Sequence, residues 1–502
     1  MKLIINPIYT LKPDKGRSLI VQSYSPRDYL YERATANTYV IHPIYAMILS
    51  FIDGRSIEEC IAEAAEKINV PEKSIQKLIE GWYNNSEGIK IKSKYDSSCF
   101  PPHLLVENSK HTPKKYDYKD FMYDELDVVM KRHHTPSSLT LMVNNTCITK
   151  CVYCYQDKRK IVGCSIPFDR LKQIIKEAAL LNVVNFDIIG GEFILYPYWK
   201  ELLRELRLYG FQPYLSTKIP LNEMDIKFLS DIGIMDIQIS IDSLIPSHLV
   251  TSLNVKEDYS KKMISSLDLL EKYGIPILVH SVLTTHNDSL EDMKSVYEEL
   301  CKHKNVIEWK VVKGEETLYP QVKYSEIEIS NSNLNKINLY LSELNSISPF
   351  NIFPPEFQVE SKNIVDDSNE LKRFLGKDRS FCSGLFSHLY ILPDGNVTMC
   401  EQLYWDKNFI VGNLLNSSIE EIWNSPKTLG LYQIRQEDIP KDSLCSSCQY
   451  FKDCREIRQV CYREIIKKYG KDKWYYPDVN CPFAKNKYQQ ELKGRSVTSE
   501  VE

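Results

Sequence analysis

Apolar and polar positions change their period along the chain, and each change marks a region. Residues 1–95 open with two short strand-like stretches, 4–11 and 18–23, and continue with helical periodicity in HPIYAMILSFI, SIEECIAEAAEKI and SIQKLIEGWYNN. Ser56 followed by Glu59 reads as a capping box, and Pro71-Glu72 as the turn that opens the third helix. Cys60 falls on an apolar stripe with Ile57, Ile61 and Ala64, which places it in a core.

Residues 96–135 are polar and irregular, with Pro101-Pro102 and a Tyr/Asp-rich run. That is the composition of a linker, with one helix expected over 121–131. From 136 to 345 strand and helix patterns alternate. SLTLMV, VVNFDII, PYLST, MDIQISID and PILVHSVL read as strands, separated by FDRLKQIIKEAALL, YWKELLRELRLYG, MDIKFLSDIG and MISSLDLLEKYG as helices. Such alternation predicts a parallel sheet covered by helices, either doubly wound or an open or closed barrel. Residues 346–490 change to hairpins and cysteine-rich loops, and the polar tail 491–502 is expected to be disordered.

Composition narrows the picture. A chain of 502 residues exceeds one ordinary domain, and a formal net charge of −4 carries no signature of nucleic-acid or membrane binding. The N-terminal apolar run is broken by Asn6 and Pro7, so neither a signal peptide nor an anchor is expected, and a cytoplasmic enzyme follows. In a reducing compartment fourteen cysteines point to metal or cluster ligation rather than disulfides. Ten of them fall into two groups, Cys147 to Cys154 and Cys382 to Cys481, while Cys164 and Cys301 fit no spacing and are read as non-ligands.

NNTCITKCVYCYQDK sets Cys147, Cys151 and Cys154 in a C-x3-C-x2-C spacing directly after the first strand of the alternating region. Thiolates this close on one loop can converge on one centre, and soft ligands select zinc or iron–sulfur. A structural zinc site wants a fourth protein ligand, and none lies nearby in the sequence; three cysteines on a cubane leave one iron open. This loop, with Tyr153 before the last cysteine, resembles the signature of the radical S-adenosylmethionine (SAM) superfamily. DIIGGEFILYP resembles the family's GGE motif through Gly190, Gly191 and Glu192, with Phe193 in place of the usual proline. YLSTKIP, with Ser216 and Thr217, resembles the element near the SAM ribose, although Lys218 stands where an asparagine is usual. QISIDS, with Ser240 and Asp242, resembles a strand that reaches SAM or substrate. The resemblance implies a partial (β/α)6 TIM-type barrel. It also implies a [4Fe–4S] cluster on Cys147, Cys151 and Cys154, and Glu192 receiving the methionyl ammonium of SAM.

The later cysteines also follow a rule. Cys382 is separated by twelve residues from Gly395, which precedes Cys400 by four more. CSSCQYFKDC then gives Cys445, Cys448 and Cys454, followed by Cys461 and Cys481. LYILPDGNVTMC reads as a hairpin turning at Asp394-Gly395. Paired C-x2-C loops also suit a zinc ribbon. The whole pattern, with FIVGNLL and SIEEIWNS, resembles the SPASM domain of radical SAM peptide and protein maturases. By resemblance Cys445, Cys448, Cys454 and Cys481 hold one auxiliary [4Fe–4S] cluster, and Cys382, Cys400 and Cys461 hold a second. Cys99 either completes that second cluster or leaves it an open iron.

Residues 1–95 resemble the PqqD-like recognition element, a winged-helix-like α+β module that binds the leader of a ribosomally made precursor peptide. The resemblances together imply SAM and three [4Fe–4S] clusters as cofactors, a precursor peptide and a flavodoxin- or ferredoxin-type donor as partners, and formation of an intramolecular thioether or C–C/C–O crosslink. Peptide epimerisation, protein oxidation of the anaerobic sulfatase-maturase kind and an inactive peptide-delivery role are the alternatives. Anaerobic reconstitution is expected to yield roughly twelve irons per chain; about four irons together with zinc would contradict the auxiliary clusters.

Overall fold

The computed structural model describes residues 1–23, 38–92, 97–107, 112–355, 371–372, 374–376, 382–456 and 459–484. The expected disordered tail lies outside them. Among the described residues no helix is long and apolar enough to cross a membrane.

The N-terminal strands are β1 (Lys2–Ile5), β2 (Tyr9–Asp14), β3 (Arg17–Gln22), β4 (Thr38–Ile41), β5 (Asp53–Ser56), β6 (Ile89–Lys92), β7 (Ser97–Phe100) and β8 (Leu105–Glu107). They form antiparallel sheets in the orders β5-β1-β8 and β2-β3-β4, with β6 and β7 as a hairpin. Helices α1 (Pro43–Leu49), α2 (Ile57–Ile68) and α3 (Glu72–Tyr83) bury their apolar stripes against them, and Cys60 sits in that core with Leu49, Ala64, Ile75 and Trp82. The module therefore extends past residue 95, because β7 and β8 complete its sheets.

Two local expectations change. Ser56 Oγ accepts from the Glu59 N–H at 3.3 Å, but the reciprocal half of the capping box is not formed among the described residues, since Ser56 is also the paired end of β5. The helix expected over 121–131 is absent. A single turn at Tyr118–Phe121 buries Phe121, and beyond it the backbone is taken up by the start of β3. Asp127 N–H donates to Gly16 O at 2.8 Å, and Arg17 Nη2 donates to the carbonyls of Lys131 (3.1 Å) and Arg132 (2.8 Å). These contacts tie the segment to the β2–β3 turn along a non-helical course.

Strand–helix alternation holds from residue 138. β9 (Ser138–Met142) and β10 (Asn185–Ile189) pair in parallel. β11 (Ser216–Thr217), β12 (Ile237–Ser240), β13 (Ile277–Leu283), β14 (Val306–Lys313) and β15 (Asn351–Phe353) form a second parallel sheet. β10 and β11 are joined by a side chain, Tyr214 N–H donating to Asp187 Oδ1 at 2.9 Å. Helices pack outside, so the strands carry near-continuous apolar runs such as Leu139, Leu141, Phe186, Ile188, Ile237 and Ile239, all buried. This is a partial barrel of the TIM type.

The cysteine-rich region adds to the same sheet. β16 (His388–Ile391) pairs in parallel with the free edge of β9, and β17 (Asn396–Thr398) and β18 (Ile410–Asn413) continue antiparallel. The expected hairpin around Asp394-Gly395 is thus present, and it extends the barrel wall. Arg132 and His133, in a stretch that reads in sequence as linker, form a joint to the later region: His133 is buried, and Arg132 lies 3.9 Å from the Trp423 ring centroid with its Nε donating to Leu385 O at 2.8 Å.

Lys12 ties the N-terminal module to the barrel. Its ammonium donates to Thr135 Oγ1 (2.7 Å), Leu181 O (2.9 Å) and Asn182 O (2.9 Å), just before β9 and β10 begin. Burial pushes its pKa from 10.5 down to about 7. Between those values the unfolded chain holds a proton that the folded chain releases, so this residue makes stability rise with pH across that window. Lys12→Met should flatten the rise of unfolding free energy between pH 7 and 10.5, measured by chemical denaturation, and an unaltered slope would contradict the assignment.

Candidate functional site

The loop that follows β9 is fastened at both ends by asparagines. Asn144 Nδ2 donates to Glu192 O at 2.9 Å, and its Oδ1 accepts from Thr146 N–H at 3.0 Å. Asn145 Nδ2 donates to the carbonyls of Asp157 (2.8 Å) and Lys160 (2.6 Å). From the other side, Lys150 and Val152 N–H donate to the Leu253 and Ser252 carbonyls at the end of the helix Pro246–Leu253. These clamps hold Cys147, Cys151 and Cys154 on the wall of one cavity of about 580 Å³ at the C-terminal ends of the strands. In α/β barrels that end carries the chemistry.

The end of β10 packs backbone to backbone on this loop. Gly191 N–H donates to Asn144 O and Glu192 N–H to Thr146 O, both at 2.8 Å. A Cβ on Gly191 would meet Thr146 O at 1.9 Å, so no other residue fits without moving the loop. Glu192 then turns inward, buried, with Oε2 accepting from Thr217 Oγ1 (2.7 Å) and Oε1 from Lys218 N–H (2.8 Å). Burial raises its pKa to about 7, against the pull of those two hydrogen bonds.

Most of the sequence-predicted residues meet here. Tyr153, Gly190, Gly191, Glu192, Ser216, Thr217 and Ser240 line the cavity with the three cysteines. Asp242 does not line it. Its carboxylate is buried under the cysteine loop, paired with Lys218 Nζ at 2.7 Å, hydrogen-bonded by Tyr153 OH and accepting from Val282 N–H at 3.0 Å. Lys218, where an asparagine is usual, thus makes an ion pair beneath the loop. Gln156, Gln238, His280, Glu401 and Arg463 also line the cavity. Gln156 lies within NNTCITKCVYCYQDK and Gln238 within QISIDS, although the resemblances there rest on other residues; the register of inward-facing strand positions could have marked Gln238 and His280.

The later cysteines gather as two groups. Burial raises the Cys400 thiol to about 12, with Cys382 and Cys461 among the charges acting on it, and Cys461 acts likewise on Cys382. Gly384 makes this possible, since a Cβ there would meet Met399 O at 2.4 Å. In the other group burial raises Cys481 to about 11, with Cys445 and Cys454 acting on it, and Cys448 acts on Cys445. Cys99 is half-buried in β7, across from Lys90, and is not among the thiols acting on Cys382 or Cys400. Cys164 is half-buried near Tyr196, and Cys301 is exposed.

The donor chemistry fits iron–sulfur clusters. The thiols of the two later groups and of the triplet are soft donors and form no disulfide. Among the described residues no three His, Cys, Asp or Glu side chains could hold a single metal ion; thiolates on separate irons of a cluster stand wider apart. Residues 141–300 match the profile of the radical SAM superfamily, and residues 382–449 that of SPASM, an iron–sulfur cluster-binding domain. The chain carries a radical SAM domain and a SPASM domain. It is a radical SAM enzyme, with SAM and [4Fe–4S] clusters as cofactors.

Two curated relatives come from Bacillus subtilis (strain 168). The sporulation killing factor maturation protein SkfB is 21% identical over 299 residues, covering 59% of this chain and 67% of that protein. The antilisterial bacteriocin subtilosin biosynthesis protein AlbA is 19% identical over 438 residues, covering 81% and 89%. Among solved structures, Streptococcus suis SuiB bound to S-adenosylmethionine aligns with a TM-score of 0.61 at 14% identity, over 95% of this chain and 99% of that one. SuiB bound to precursor peptide SuiA gives 0.61 at 15%, with the same coverage. At these identities the likeness to SuiB is one of fold. For the radical SAM domain, Gly191→Ala should lower iron after reconstitution by about four per chain and abolish SAM binding in equilibrium dialysis; wild-type values for both would contradict the close packing described.

Proposed function

We propose that this radical SAM enzyme matures a ribosomally synthesised precursor peptide, binding its leader through the N-terminal module and abstracting hydrogen from its core to close an intramolecular crosslink. The observation that carries the reading is the cavity itself. It puts the cysteine triplet, Glu192 and the SPASM residue Glu401 around one space large enough for SAM and a peptide side chain together. The names of SkfB and AlbA, and the precursor peptide bound to SuiB, support a peptide substrate. Residues 1–95 serve, in this reading, as a PqqD-like element that adds the leader to a sheet edge.

Bound at this site, a [4Fe–4S] cluster and SAM supply a 5′-deoxyadenosyl radical on one-electron reduction by a flavodoxin- or ferredoxin-type donor. The chain's residues position these groups. Cys147, Cys151 and Cys154 would provide three thiolates to the cluster, leaving SAM a place on it. Glu192, with one face of its carboxylate held by Thr217 and Lys218, offers its remaining lone pairs to the methionyl ammonium. Ser216 and Ser240, which line the cavity, would face the ribose. Tyr153 is braced from behind by Lys218 and Asp242, so Asp242 would orient the loop rather than meet SAM itself.

Cys445, Cys448, Cys454 and Cys481 hold one auxiliary cluster. Cys382, Cys400 and Cys461 hold the other, and the placement of Cys99 in the N-terminal module favours an open fourth iron there. An open iron beside the cavity suits capture of a substrate thiolate, which favours a thioether over a C–C or C–O bond. Coexpression with the precursor encoded beside the gene tests this by mass spectrometry. Loss of two hydrogens per crosslink is expected: one is taken as an atom by the 5′-deoxyadenosyl radical, and one is released as a proton whose electron an auxiliary cluster would accept. Cys147→Ala should abolish this loss. Unchanged mass with an inverted residue would instead establish epimerisation, and modification by Cys147→Ala would overturn the radical reading.

A further inference from the structure

Lys158 lies in the charged run QDKRK, which reads in sequence as a solvated turn. Its neighbours behave that way: Arg159 is exposed and pairs with Asp157 at 2.8 Å, its guanidinium lying 3.8 Å from the Tyr319 ring centroid. That pairing pins the backbone on both sides of Lys158 and turns the lysine side chain the opposite way, into the protein.

There its ammonium, half-buried, lies 3.5 Å from Cys147 Sγ. It also donates to Gln156 Oε1 at 3.2 Å and to the Asn145 carbonyl. Three acceptors match the three N–H groups of an ammonium. None of them carries a full charge while Cys147 is a thiol. The Glu192 carboxylate acts on Lys158 through space, but among the described residues no carboxylate forms a salt bridge with it, so a thiolate at Cys147 would be the charged partner in hydrogen-bond contact. The arrangement is also held in place. Gln156, buried, donates through Nε2 to Gly190 O, so the residue that steadies Lys158 is fastened to the Gly190–Glu192 segment.

We propose that Lys158 is a positioning and tuning residue for the radical SAM cluster: its ammonium donates a charge-assisted hydrogen bond to the Cys147 thiolate and raises the potential at which the cluster accepts its one electron. Hydrogen bonds to cluster sulfurs and nearby positive charge stabilise the more negative, reduced state, and both raise the reduction potential. Because Gln156 links Lys158 to the Gly190–Glu192 segment, the same contact ties the cluster's potential to the integrity of the SAM-binding segment.

The inference rests on the assignment of a cluster to Cys147, Cys151 and Cys154, and the experiment separates the two. Full-length protein carrying alanine at the seven SPASM cysteines, so that only one cluster can report, is reconstituted anaerobically. Its iron and sulfide are counted, then its reduced-cluster signal is followed by electron paramagnetic resonance in a dithionite titration with mediators. Should that background not fold, the full chain with all clusters is titrated instead, and the signal that SAM perturbs is followed. No iron in the lysine-intact protein defeats the cluster assignment. With the cluster present, Lys158→Met should shift the midpoint to more negative potential, Lys158→Gln by less, and Lys158→Arg should restore it. Gln156→Leu, which frees the lysine, should give part of the same shift. An unmoved midpoint in Lys158→Met overturns the proposal. So does loss of the cluster from both the Met and Gln variants, which would make Lys158 a residue for cluster retention.

Discussion

The site depends on one close approach, that of the Gly190–Gly191 backbone to Asn144–Thr146. Two peptide hydrogen bonds and the absence of a Cβ bring the end of β10 onto the start of the cysteine loop. Everything that follows uses that contact. The cysteines face the cavity because the loop leaves β9 at this angle, and Glu192 is delivered beside them because it is the next residue. The burial thus created raises the Glu192 carboxylate to about 7 and raises the thiols of Cys147 and Cys151. A thiol so held is poor at releasing its proton to water, and ligation to iron is what makes the thiolate the favoured form.

The same strand connects the two cysteine regions. β9 carries the triplet at its end and receives β16 along its edge, so the SPASM hairpin is an extension of the barrel wall. The hairpin that this pairing carries brings Glu401 to the cavity, where Arg463 of the helix Tyr462–Tyr469 joins it, while Cys382, Cys400 and Cys461 lie near one another. Tyr404, buried, donates to the Tyr155 carbonyl at 2.8 Å and closes the space between the cysteine loop and the hairpin. Catalytic and auxiliary sites are therefore set by one sheet, and displacement of the hairpin would move both.

Motif spacing made much of this legible. The triplet, Gly190–Glu192 and the strand–helix alternation are local patterns whose geometry follows from few torsions, and the Asp394-Gly395 turn is of the same kind. What escaped was non-local. Asn144 and Asn145 look like ordinary loop residues until their amides are seen bridging to Glu192 and Lys160. Residues 121–131 read in sequence as a helix, but Gly16 and Arg17, more than a hundred positions upstream, bind their backbone along a non-helical course. Asp242 matched a strand pattern that reaches SAM, and spacing alone could not show that its carboxylate pairs with Lys218 at the end of the neighbouring strand.

The central claim is that the cavity binds SAM on the triplet's open iron and cleaves it reductively. The most direct measurement is 5′-deoxyadenosine formed from SAM by the anaerobically reconstituted, dithionite-reduced protein, quantified by liquid chromatography. The account predicts 5′-deoxyadenosine and methionine in equal amounts from the intact chain and none above background from Glu192→Ala. Fully iron-loaded protein that binds SAM and leaves it uncleaved would contradict it.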